Sequence, residues 1–156
     1  MGLGKTIEVL SLILGNPQGP DTPYTQTFFE GVPRIRTRAT LVLCPSHLVK
    51  QWAVEACNKT KLRVETIWNK SMHSNMTYQH ILDADIVVVS FNFLKSASYI
   101  NSFNGGSHNT SFEGILGAAI TASDIVDTNY GPTKAPILHL FDWHRIIYDG
   151  KFTFQK

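Results

Sequence analysis

The sequence predicts an α/β fold, a parallel sheet flanked by helices, on three observations. Apolar, β-branched runs alternate with segments of helical periodicity, the pattern of a parallel sheet with helical crossovers. The run Ala84-Asp85-Ile86-Val87-Val88-Val89-Ser90 is apolar on both faces, as strands in the middle of such a sheet are. The chain has 156 residues, 43% hydrophobic and 17% charged, which suits one domain with a core of ordinary size.

The same figures exclude several classes. With 14 Lys+Arg against 12 Asp+Glu, the net charge of +2 is too small to mark a nucleic-acid binder by bulk charge. Two cysteines, Cys44 and Cys57, exclude a disulfide scaffold and read as reduced thiols of an intracellular protein. No apolar run approaches the roughly 20 residues a membrane-spanning helix needs, so no membrane partner is expected.

The chain opens Met1-Gly2-Leu3-Gly4-Lys5-Thr6, then Ile7 to Leu14. Three functional readings compete with an ordinary apolar helix. A signal peptide would need an uncharged core and a small-residue cleavage site, but Glu8 interrupts the core and Asn16-Pro17 follows it. Gly2 and Thr6 fit the short N-myristoylation pattern. Gly4-Lys5-Thr6 also matches the end of a phosphate loop. There, small residues expose backbone N–H groups to a polyphosphate, Lys5 meets the β/γ-phosphates and the Thr6 hydroxyl ligates Mg²⁺. Such a loop starts a helix, and Ile7, Leu10, Leu14 with Val9, Ile13 supply one before Gly15 and Pro17 end it. The residues favour the phosphate loop. Its preceding strand and first Gly or Ala are not in the sequence, so the chain reads as starting inside a larger protein.

Asn16 to Thr40, rich in Pro, Gly and Thr, reads as a long surface loop in which Arg34, Arg36 and Arg38 alternate. Thr40 to Cys44 reads as a buried strand ended by Pro45. Ser46 then serves as helix N-cap, and Leu48, Val49, Trp52, Ala53 and Ala56 form one apolar helical face. Leu62 to Trp68 alternates like a half-buried strand, and Met72 to Leu82 reads as a helix. Lys95 to Pro136 reads as an irregular insertion holding a short helix over Gly114 to Thr121. Trp143 to Asp149 reads as a last strand ending in an acid.

Four segments in order, Met1 to Thr6, Thr40 to Trp52, Ala84 to Leu94 and Trp143 to Asp149, resemble the Swi/Snf family of DNA-dependent ATPases within helicase superfamily two. Met-Gly-Leu-Gly-Lys-Thr is similar to the end of that family's ATP-binding motif. Leu41-Val42-Leu43-Cys44-Pro45-Ser46-His47-Leu48-Val49-Lys50-Gln51-Trp52 resembles its next motif, and Asp85 to Phe91 the strand before a DNA-contacting turn. The resemblance implies the first of two RecA-like lobes, incomplete at both ends, with ATP held by Gly2, Gly4, Lys5 and Thr6. Mg²⁺ would sit at Thr6 and Asp149, and duplex DNA would meet Ser46 and Ser90. A second lobe would supply an arginine finger, and a eukaryotic member would work in the nucleus, in chromatin remodelling or DNA repair. One departure stands out. The family's Asp-Glu-x-His box reads Asp149-Gly150-Lys151-Phe152 here, so the acid remains and the Glu that positions or deprotonates water is replaced by Gly150. The expectation is an ATP-binding lobe without turnover on its own.

Other chemistry is thin. No histidine pairs with a cysteine at zinc spacing, no Gly-x-Ser-x-Gly elbow occurs, and Trp52 reads as core rather than as a base-stacking platform. The competing functions are a small P-loop kinase or nucleotidase, which would need a complete loop and an arginine lid, and a binding-only remnant, which Gly150 favours.

Overall fold

The computed structural model describes residues 4–17, 26–29, 32–103 and 134–150. Helix α1 spans Gly4–Gly15, and strands β1 (Gln26–Phe29) and β2 (Val32–Cys44) follow. Helix α2 covers Ser46–Lys59 and strand β3 Val64–Ile67. Two short helices come next, α3 (Lys70–Asn75) and α4 (Tyr78–Asp83). Strand β4 (Ile86–Ser90) leads into α5 (Phe91–Leu94) and α6 (Ala97–Phe103), and a 3₁₀ turn at Leu138–Leu140 opens strand β5 (Phe141–Tyr148).

The sheet is built on β2. Along one edge β2 pairs in parallel with β5, from Ile35↔Phe141 to Leu43↔Tyr148. Its other edge is shared. Thr40 to Cys44 pair in parallel with Ile86 to Ser90 of β4, and Val32 to Ile35 pair antiparallel with β1. Strand β3 closes the far side, parallel to β4. Strands β2, β3, β4 and β5 are thus the parallel sheet expected, with β1 as an antiparallel addition.

Both faces are covered, which is why the central strand lacks a polar side. Ile86 and Val88 join Val42, Cys44, Val49, Trp52 and Ala56 with Leu10 and Ile13, so α1 and α2 pack on one face. Val87 and Val89 join Leu41, Ile67, Ile81, Leu82, Phe93, Tyr99 and Phe141 on the opposite face. At the N-terminal ends of the strands Asp85 ties neighbours together. Its carboxylate accepts the Arg63 backbone N–H at 2.8 Å and pairs with Arg38 at 3.5 Å.

Three expectations are corrected. The region read as a loop from 16 to 40 holds β1 and most of β2. The alternation of Arg34, Arg36 and Arg38 was the strand's own period: Ile35, Thr37 and Ala39 between them are buried. Pro33 sits at the strand's start, where its missing N–H is tolerated. The helix expected over Met72 to Leu82 is two helices, broken at Met76-Thr77. Asn69 caps the first, accepting from the Met72 N–H, and Thr77 caps the second in a reciprocal box with His80. Within the supposed irregular insertion from 95 to 136, Ala97–Phe103 is helical. The helix expected over Gly114 to Thr121 lies outside the described residues.

Candidate functional site

Parallel α/β sheets place ligands at the C-terminal ends of their strands. Three turns meet there. Cys44 and Ser90 are register partners at the ends of β2 and β4, and the Asp149 N–H bonds to the Leu43 carbonyl at 2.8 Å, carrying the β5 ladder one residue beyond Tyr148. Gly150 lies between the other two turns. A Cβ there would stand 3.5 Å from Pro45 and 3.1 Å from the Phe91 ring. The Phe91 ring in turn packs on Tyr148, their centroids 4.5 Å apart.

The two candidate serines are brought together. Ser46 Oγ and Ser90 Oγ are 2.6 Å apart, and Ser90 Oγ also accepts the Asn92 N–H at 3.2 Å, capping α5. Ser46 is not the cap of α2, as the sequence suggested. Pro45 occupies that position without a side-chain hydrogen bond, and the Ser46 hydroxyl turns across to β4 instead. The pair leaves α2's first backbone N–H groups without a side-chain cap, at the positive end of its dipole.

Asp149 is held from α2. Trp52 Nε1 donates to Asp149 Oδ2 at 2.8 Å. Trp52 is buried, as expected of a core residue, but the polar end of its ring has a specific partner that sequence spacing could not show. Beside them the Cys44 thiol is pushed up to about 12, first by burial and then by the Asp149 carboxylate. It is a protonated, inert neighbour at neutral pH.

The first turn of α1 also lies against α2. Thr6 lies near Glu55, which sits on the next turn of α2 after Trp52, and is the weakest of the influences that lower the Glu55 carboxyl. The hydrogen bond from Gln51 foremost, at 2.9 Å, and then the charge and hydrogen bond of Lys59 hold the Glu55 carboxyl below its usual range. Gly4 and Lys5 are exposed, and among the described residues a Cβ at Gly4 would meet only the flexible Glu8 carboxylate, at 3.6 Å. At its other end α1 is tethered to β5, where Arg145 donates to the Asn16 carbonyl at 3.0 Å. Thr6 and Asp149 therefore lie beside adjoining turns of one helix, Asp149 bonded to its Trp52. The donor set fits a magnesium-bound polyphosphate in kind: a hydroxyl, a cation, a carboxylate and the backbone N–H groups of a helix start. Gly2, Lys151 and Phe152 lie outside the described residues. Among the described residues no cluster of three His, Cys, Asp or Glu side chains could hold a metal, and no helix is long and apolar enough to cross a membrane.

A sequence profile described as the SNF2-related domain matches residues 1–155. The chain belongs to the SNF2-related domain family. The SNF2-related lobe is similar to the protein of Saccharomyces cerevisiae named uncharacterized ATP-dependent helicase IRC20, 35% identical over 112 residues. That stretch is 67% of this chain and 7% of the yeast protein. It is also similar to DNA repair protein rad8 of Schizosaccharomyces pombe, 46% identical over 59 residues, which are 36% of this chain and 5% of that protein. The matched stretches thus cover less than a tenth of the length of either relative.

Proposed function

We propose that this lobe is the ATP-binding part of a Swi/Snf-type DNA-dependent ATPase and that it binds nucleotide without turning it over by itself. The observation that carries the reading is the convergence on α2, in a chain of this family, of Thr6 at the start of α1 and Asp149 at the end of β5. Gly4 leaves room for backbone N–H groups to face phosphate, Lys5 would neutralise the β/γ-phosphates, and Thr6 and Asp149 would hold Mg²⁺, Asp149 through water. The metal, when bound, neutralises charge on the phosphates. Gly2 belongs to the same proposed loop.

Duplex DNA would meet Ser46 and Ser90, whose paired hydroxyls and adjacent backbone N–H groups suit phosphate contacts that position without reading sequence. Such binding is weak and falls steeply with salt. The biological setting proposed is nuclear, in chromatin remodelling or DNA repair, with a second RecA-like lobe as the partner that completes the ATP site. Gly150, standing where a Glu would act on water, favours the binding-only form of this reading.

The test is ATP affinity by calorimetry with Mg²⁺ present. Lys5→Ala should abolish whatever affinity the chain has, because Lys5 is the cation placed for the β/γ-phosphates. Equal affinity in Lys5→Ala and the unaltered chain would refute the site.

A further inference from the structure

Asp149 and Trp52 stand 97 residues apart in sequence, yet the indole N–H of one meets a carboxylate oxygen of the other at 2.8 Å. We propose that Trp52 is the positioning residue of this acid: its N–H fixes Oδ2 and leaves Oδ1 as the oxygen offered to a metal-bound water. The proposal rests on the reading of Asp149 given above and goes a step beyond it.

Several features point the same way. Trp52 is 3% exposed and wedged among Val42, Cys44, Val49 and Ala56, so its ring has no freedom to follow a moving carboxylate. The indole is a donor only, so at Asp149 it meets acceptor oxygens and cannot compete as a ligand for a cation. The Asp149 main chain is fixed as well, by its N–H to the Leu43 carbonyl. Backbone and side chain of the acid are thus anchored by two elements, β2 and α2. Packing alone would be met by a Phe or Leu at position 52, whereas the N–H serves the carboxylate. Trp143 shows the contrast: its Nε1 donates to the Leu138 carbonyl at 3.1 Å, a local tie away from the acid.

The experiment uses the ¹⁵N-labelled full chain, whose three tryptophans give three indole signals. Trp68→Phe and Trp143→Phe assign Trp52 by elimination. Asp149→Ala should move the Trp52 indole resonance and leave the other two in place. Mn²⁺·ATP added to the unaltered chain should broaden the Trp52 indole ahead of Trp68 and Trp143. Trp52→Phe, with the remaining indole signals unchanged as the check on folding, should weaken Mn²⁺ affinity in the presence of ATP on the order of tenfold, as loss of a partner behind a metal ligand does. Affinity for metal-free ATP should be unchanged. A Trp52 signal indifferent to Asp149→Ala overturns the proposal. So does equal Mn²⁺ affinity in Trp52→Phe. If Trp52→Phe does not fold, the selective broadening decides, and uniform or absent broadening counts against the proposal. Mn²⁺·ATP binding that Lys5→Ala leaves intact would instead overturn the nucleotide site itself, separating that failure from this one.

Discussion

Cys44 is the residue whose surroundings leave the clearest mark on solution behaviour. Burial and the nearby Asp149 carboxylate raise its thiol from 9.0 to about 12. In the unfolded chain the thiol loses its proton near 9, and in the folded chain it holds that proton further. Between these values the folded state binds more protons, so stability falls as pH rises, by about 1.4 kcal/mol per unit for one such group. Burial raises the Tyr78 and Tyr99 phenols too, which adds to the loss beginning near 10. On the acid side His73 acts with the opposite sense. Burial lowers it against the pull of its bond to the Pro136 carbonyl, so the stability it lends is present above 6.5 and lost as pH falls below that. The urea midpoint should therefore be highest between roughly pH 7 and 9. It should decline from pH 9 upward in the unaltered chain and less steeply over the first unit in Cys44→Ala. A midpoint flat to pH 11 would show Cys44 to be solvated. The same burial predicts that iodoacetamide at pH 8 modifies exposed Cys57 and spares Cys44 until the chain unfolds.

Among the elements, β4 was the most legible and β2 the least. Ile86 to Val89 need no interpretation beyond their unbroken apolarity, because a strand covered on both faces has no polar positions to confuse the pattern. Accordingly Ile86→Ala should cost about 2–5 kcal/mol, and Ile146→Ala on the outer strand β5, where the side chain is 60% exposed, within about 0.5 kcal/mol. Comparable losses in denaturant melts would mean that the β5 face is covered. The first half of β2 was hidden by its arginines: Arg36 pairs with Asp142 and Arg38 with Asp85, and neither acid is identifiable as a partner from sequence spacing. The break between α3 and α4 carried a readable sign in Thr77, but its reciprocal partner is His80 rather than the usual Glu or Gln. Thr77→Ala should lose about 1 kcal/mol, measured against Gln79→Ala on the exposed side of α4 as the control. At the candidate site, Lys5 and Thr6 stood out in the sequence as phosphate-loop chemistry, and Ser46, Ser90 and Asp149 through the family resemblance. The Trp52–Asp149 contact did not, since it depends on how α2 lies across the sheet and not on any local spacing.

At the scale of the whole molecule the decisive question is turnover, and the expectation is that these 156 residues hydrolyse ATP no faster than background, with or without duplex DNA. Two deficits combine. Gly150 occupies the position of the Glu expected to act on water, and general-base assistance is worth roughly 10²–10⁴-fold. The proposed reading assigns the arginine finger, worth roughly 10³–10⁵-fold where it acts in related P-loop enzymes, to a second lobe, and the described residues build one sheet. Restoring one part should recover little, because residues that act as a unit are far from additive. Gly150→Glu makes the point structurally. Its Cβ would stand 3.1 Å from the Phe91 ring, so Phe91 must give way by a few tenths of an ångström and disturb its packing on Tyr148 before the new carboxylate can point anywhere useful. Pairing Gly150→Glu with Phe91→Leu removes that crowding and isolates the chemistry. Steady-state ATPase assays with saturating duplex DNA should read at background for the unaltered chain and for the single variant. The pair should gain at most a small increment that Lys5→Ala abolishes. Clear DNA-stimulated turnover by the unaltered chain would place the catalytic base somewhere other than position 150 and overturn the binding-only reading.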